Sequence, residues 1–114
     1  MENKEILIAA NEAVANGNYE EFLSFCSEDT HWMFVGDISL KGKEAVRQWM
    51  KENYIEPPVF NVDHFIAEND FVTAIGKITI SDAHGQKATY EYCDVWRFRD
   101  GKMVELKAYV IEVK

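Results

Sequence analysis

Basic residues are scarce in this chain: 12 Lys and Arg stand against 20 Asp and Glu, leaving a net charge of -8. No basic stripe appears in any segment, which argues against nucleic acid as a partner. The same balance disfavours docking on an anionic membrane surface. No apolar run approaches the length of a membrane span, and none follows a basic N-terminal segment as a secretory leader would. A cytoplasmic location is therefore expected. Cysteine is almost absent. Cys26 and Cys93 lie far apart with no Cys-x-x-Cys spacing, so neither a disulfide framework nor a zinc site is expected. Two small hydrophobes in a reducing compartment is the simpler reading. His31, His64 and His84 are scattered, with no pair at ligand spacing, and neither a metal nor a cofactor is expected. Gly42-Lys43 and Gly101-Lys102 lack the glycine spacing of a phosphate loop. No Ser-His-Asp or Cys-His order with a matching local motif is present, which leaves nucleophilic catalysis without support.

What is present is a packed core. Apolar residues make up 47% of the 114 residues and aromatics 13%, enough for one globular domain over residues 1–114 and too little for two. Residues 3–16 carry Ile6, Leu7, Ala10 and Val14 at helical period, and Gly17 closes that helix. Asn18 with Glu21 reads as a capping box opening a second helix, whose buried stripe is Tyr19, Phe22, Leu23 and Cys26. A short strand from Thr30 to Val35 sets Trp32 and Phe34 on one face. A third helix over Lys43–Asn53 buries Ala45, Val46, Trp49 and Met50, and Pro57-Pro58 stops it.

From Val59 the apolar period changes from helical to alternating. Phe60, Val62, His64 and Ile66 fall on one face of a strand, followed by a turn at Glu68-Asn69-Asp70. Phe71–Ile80, Lys87–Arg99 and Lys102–Val113 complete a four-strand meander, the last two joined at Asp100-Gly101, a strong hairpin signal. Helices first and strands after argue for an α+β fold, three N-terminal helices packed on a curved, mostly antiparallel sheet. In Lys77's strand the register decides whether that lysine points in or out, and exposure is the expectation.

The strand over 87–99 holds the most telling pattern. Tyr90, Tyr92, Asp94, Trp96 and Phe98 share one face, so a single carboxylate stands among four aromatic rings. If that face is covered, Asp94 is either paired or kept protonated by its dry surroundings.

Three segments together carry a resemblance: AVANGNYEEFLSFCSEDTHW, LKGKEAVRQWM and DVWRFRDGKMVELKAY. In order and spacing the whole chain resembles the SnoaL-like (polyketide cyclase-like) and ketosteroid isomerase-like branch of the nuclear transport factor 2-like superfamily. The resemblance implies a cone-shaped α+β barrel enclosing a pocket, often dimeric through the outer sheet face. It does not by itself name a reaction, because this superfamily includes isomerases, cyclases, hydrolases, dehydratases and non-catalytic binders. The position matching the proton-moving aspartate of ketosteroid isomerase is Phe34, and the oxyanion-binding tyrosine falls near Ala10. Both groups are missing, so steroid isomerisation by that mechanism is not expected. The second oxyanion donor, an aspartic acid kept neutral by an apolar site, matches Asp94.

The expected site therefore has Asp94 as acid and base, with His64 as a relay if it shares the covered face. Trp32, Phe34, Trp49, Tyr54, Tyr92 and Trp96 are the expected ligand-binding wall, since small-molecule sites are mostly apolar with a few polar groups. The plainer alternatives are that Asp94 is a structural acid paired with a lysine or tyrosine, His64 a satisfied core residue, and the rings plain packing. The function read this way is a small-molecule pocket protein, acting as a cofactor-free isomerase, cyclase or dehydratase on a hydrophobic or aromatic metabolite. The alternative is a non-catalytic ligand-binding or dimerisation module. Cys93, Val95, Tyr109 and Ile111 make an outer face apolar enough to expect a homodimer.

Overall fold

The structure, a computed structural model, describes residues 1–113. Helices α1 (Asn3–Ala15), α2 (Tyr19–Ser24) and α3 (Lys43–Asn53) accompany strands β1 (Cys26–Phe34), β2 (Ser39–Lys41), β3 (Val59–Glu68), β4 (Phe71–Ser81), β5 (Lys87–Arg99) and β6 (Lys102–Glu112). The strands form one sheet in the order β2-β1-β6-β5-β4-β3. The β1–β6 pair is parallel and the other pairs are antiparallel. The architecture is the expected α+β cone: α1 lies against β3 and β4, and α3 against β1 and β2.

Local chemistry explains much of this. In α1 the Glu2 amide donates to Glu5 Oε1 at 2.9 Å, satisfying one of the donors a helix start leaves free. Leu7, Ala10 and Val14 are buried from that helix, and Val46 and Met50 from α3. Each large apolar side chain so buried contributes roughly 1.5–3 kcal/mol. The β5–β6 hairpin turns at Asp100 (φ 51°) and Gly101 (φ 75°), both left-handed, as a two-residue turn matched to strand twist requires.

Several expectations need correction. Asn18 precedes α2 but its side chain makes no capping hydrogen bond. Cys26 is buried, yet it begins β1 and does not end a helix; the Met103 amide donates to Phe25 O at 2.8 Å and draws the chain beside β6. That non-local bond outcompetes another helical turn. β2 is too short to announce itself in sequence and exists through pairing with β1, Trp32 opposite Leu40.

The largest correction concerns β3. Its register on β4 runs Val62 opposite Gly76 and then His64 opposite Ile75, so Asp63 is an extra, bulged residue. A one-residue slip exchanges the faces of everything beyond it. Phe60, Val62 and Phe65 pack against the core, while His64 and Ile66 are exposed on the other face. Gly76 makes this bend feasible: a Cβ there would lie 2.2 Å from Asn61 O and 2.9 Å from Val62 Cα. Lys77, next along β4, is exposed opposite Glu91.

Candidate functional site

A cavity of about 360 Å³ lies between the inner sheet face and the helices. That is within the roughly 300–1,000 Å³ typical of small-molecule sites. Helices α1, α2 and α3 and strands β1, β3, β4, β5 and β6 all contribute to its walls. β5 contributes Tyr90, Tyr92, Asp94 and Trp96 by strict alternation. β1 contributes Trp32 and Phe34, α3 and its end contribute Trp49 and Tyr54, and β3 contributes Phe60.

The rings hold one another. Trp32 meets Trp96 edge-to-face at 5.6 Å and Trp49 at 6.2 Å, while Trp49 meets Tyr54 at 5.2 Å and Phe34 at 4.9 Å. The Trp49–Phe34 pair is tilted at 31° and the other three are edge-to-face; such aromatic pairs add about 0.5–1.5 kcal/mol each beyond their burial. The Tyr19 hydroxyl donates to Tyr54 O at 3.3 Å and ties down the segment leaving α3. The wall is thus braced, and its rings cannot easily collapse into the space.

Register explains why the space exists at Asp94. Its cross-strand neighbours are Ala74 on β4 and Ala108 on β6, two small buried side chains. A larger residue at either position would fill the volume over the carboxyl. Asp94 retains some accessible surface because the carboxyl is itself cavity wall, but protein surrounds it. Desolvation raises its pKa to about 7, with no hydrogen bond or charge contributing. The group therefore titrates close to neutrality. Burial, and then the Asp94 charge, push the Tyr54 and Tyr92 hydroxyls upward, so both stay protonated. Tyr92 Oη and Trp32 Nε1 are buried without a hydrogen-bond partner among the described residues.

All six expected wall residues and Asp94 line this one cavity. His64 does not, for the bulge at Asp63 has turned it outward. Among the residues that the structure adds to the lining are Phe60, Tyr90, Asp37 and the polar Asn11 and Asn53. Tyr90 was readable, sharing the face of Tyr92 and Asp94; Asp37 sits in a turn, where sequence gives no hint of a cavity. Among the described residues no group of three or more His, Cys, Asp or Glu could hold a metal, and no helix is long and apolar enough to cross a membrane.

Residues 7–106 match the SnoaL-like domain family. The chain belongs to that family. Solved structures agree in fold. The SnoaL-like domain described here superposes at a TM-score of 0.86 on SalBIII, an epoxide hydrolase/cyclase-like enzyme of pyran ring formation in the polyether salinomycin. Identity is 18%, covering 95% of this chain and 89% of that one. TerC, co-crystallised with polyporic acid, gives a TM-score of 0.78 at 19% identity, covering 93% of this chain and 88% of that one. A nuclear transport factor 2-like protein of unknown function from Burkholderia pseudomallei gives 0.82 at 19% identity, covering 96% and 91%. No curated protein sequence matches the chain. Likeness at this level carries the fold and leaves the chemistry to the site itself.

Proposed function

We propose that this SnoaL-like domain binds a small, largely apolar or aromatic molecule and moves a proton on it without a cofactor. Asp94 is the acid and base, and the reaction class is isomerisation, cyclisation or dehydration. One observation carries the reading: an unpaired carboxyl, poised near neutrality by desolvation, sits in a braced aromatic cavity. A group with a pKa near the working pH is suited both to take a proton and to return it. The enzyme chemistry named for SalBIII and the ligand held by TerC support a pocket used in this way. His64 has no part in it, being on the opposite face of β3.

Proton exchange in D₂O tests this without knowing the product. Incubation with a panel of enolisable aromatic ketones is expected to give α-carbon deuteration, followed by NMR, that Asp94→Asn does not give. Binding without exchange by the wild type, across the panel, would favour the second reading, a non-catalytic ligand-binding module. That reading draws on the absence of a histidine beside Asp94 in the cavity wall.

A second copy is proposed to cover the outer sheet face. There Tyr109 is 44% and Ile111 71% exposed, alongside partly exposed Cys93 and Val95. Sedimentation at micromolar concentration is expected to show a dimer, and Ile111→Asp to shift it toward monomer. A wild type that sediments strictly as monomer removes this part of the proposal.

A further inference from the structure

The charge of the cavity wall is one-sided. Asp94 stands inside it and the exposed Asp37 also lines it, and among the described residues no Lys, Arg or His does. Aromatic rings make up much of the remainder, and ring faces carry negative electrostatic potential. The wider field has the same sign, since the chain carries a net charge of -8. A cleft with low-dielectric walls concentrates such a field and draws in the opposite charge.

We infer that the ligand of this cavity is an organic cation, an aromatic or alkyl ammonium seated among the rings with Asp94 as its counter-ion. The inference deepens the proposed function and rests on its reading of the cavity as a ligand site.

Three physical points support it. A buried carboxylate with no partner is costly, and a bound cation supplies the partner that the protein does not. Ammonium groups bind favourably against the faces of Trp and Tyr, most of all where water is excluded. Trp32, Trp49, Tyr54, Tyr92 and Trp96 all line the space that holds Asp94. An anionic ligand would meet the Asp94 carboxylate with no cation among the described lining residues to offset it.

The pH dependence follows with a definite sign. The titratable groups that feel the Asp94 charge are Tyr92 on β5 and Tyr54 at the end of α3, whereas Asp37, in the turn after β1, is exposed and exerts no charge effect on Asp94; the cross-strand neighbours on β4 and β6 are alanines. The two tyrosines stay neutral, and Asp37 is the other acidic residue of the lining among the described residues. Asp94 thus governs affinity near pH 7, and cation binding should strengthen from pH 6 to pH 8. A neutral ligand that accepts a hydrogen bond from the acid should do the reverse.

Calorimetric titration with benzyltrimethylammonium, its neutral isostere neopentylbenzene, and phenylacetate tests the inference. At pH 8 the cation is expected to bind about tenfold or more tightly than the isostere. Phenylacetate is expected to bind weakest, and the cation's advantage should shrink severalfold in Asp94→Asn, the rings supplying what remains. Should that variant fail to fold, the wild-type affinities at pH 6 and pH 8 decide alone. An isostere that binds as well as the cation, or a cation affinity that does not rise with pH, would overturn the charge preference and leave the cavity reading standing. Failure of the cation and phenylacetate at millimolar concentration, and of the isostere at its solubility limit, would overturn the cavity reading and this inference together.

Discussion

At pH 8, Asp94→Asn is expected to make the fold more stable than the wild type, by up to about 4 kcal/mol. The sign comes from the direction of the shift. Asp94 has its folded pKa raised to about 7 from an ordinary value of 3.8, and burial is the cause. Below about pH 4 the carboxyl is protonated folded or unfolded, and it affects stability little. Between pH 4 and pH 7 the unfolded chain sheds the proton while the folded one keeps it, so stability falls as pH rises. Above pH 7 the full penalty is present, and the amide escapes it. Urea unfolding of both proteins at pH 4 and pH 8 measures the effect, the difference closing at the lower pH. Proton transfer should respond the other way, falling roughly 10²–10⁴-fold with loss of the acid and base. A structural acid paired with a lysine or tyrosine would lose stability on this substitution, so a destabilised Asp94→Asn at pH 8 would restore that alternative.

Gly76→Ala is expected to cost at least about 2–3 kcal/mol, as overpacking against fixed backbone does. The added Cβ would meet Asn61 O at 2.2 Å and Val62 Cα at 2.9 Å, and both are main-chain atoms of the paired strand. No rotamer change relieves that contact. β3 would have to lift from β4 where the bulge begins, disturbing Phe60 in the cavity wall as well. Thr73→Ala, on the outer face of β4, serves as the comparison, with an expected change within about 0.5 kcal/mol. An unchanged urea midpoint for Gly76→Ala would show that the strands accommodate a side chain there.

These two residues mark how far the sequence could be read. Asp94 was legible because alternation is a property of the strand itself, and it set the carboxyl with Tyr90, Tyr92 and Trp96 whatever the neighbours were. The absence of a partner for Asp94 was not legible. It depends on Ala74 and Ala108 lying opposite it, a matter of register between strands. Gly76 gave no signal, because a glycine within a strand does not say which backbone approaches it. His64 was placed wrongly for the same cause. Its strand alternates correctly as far as Val62, and only pairing with β4 inserts the extra residue that turns it outward.

Sequence alone determined whatever rests on short-range rules. Those are the helical faces of α1 and α3, the Asp100-Gly101 hairpin, the order of helices and strands, and the aromatic wall around one acid. Each follows from side-chain periodicity or from the backbone freedom of a few residues. Tertiary structure decided the start of β1, the existence of β2, the bulge at Asp63 and the dry setting of Asp94. These depend on contacts between residues distant in the chain, where a single backbone hydrogen bond or a missing Cβ outweighs local preference.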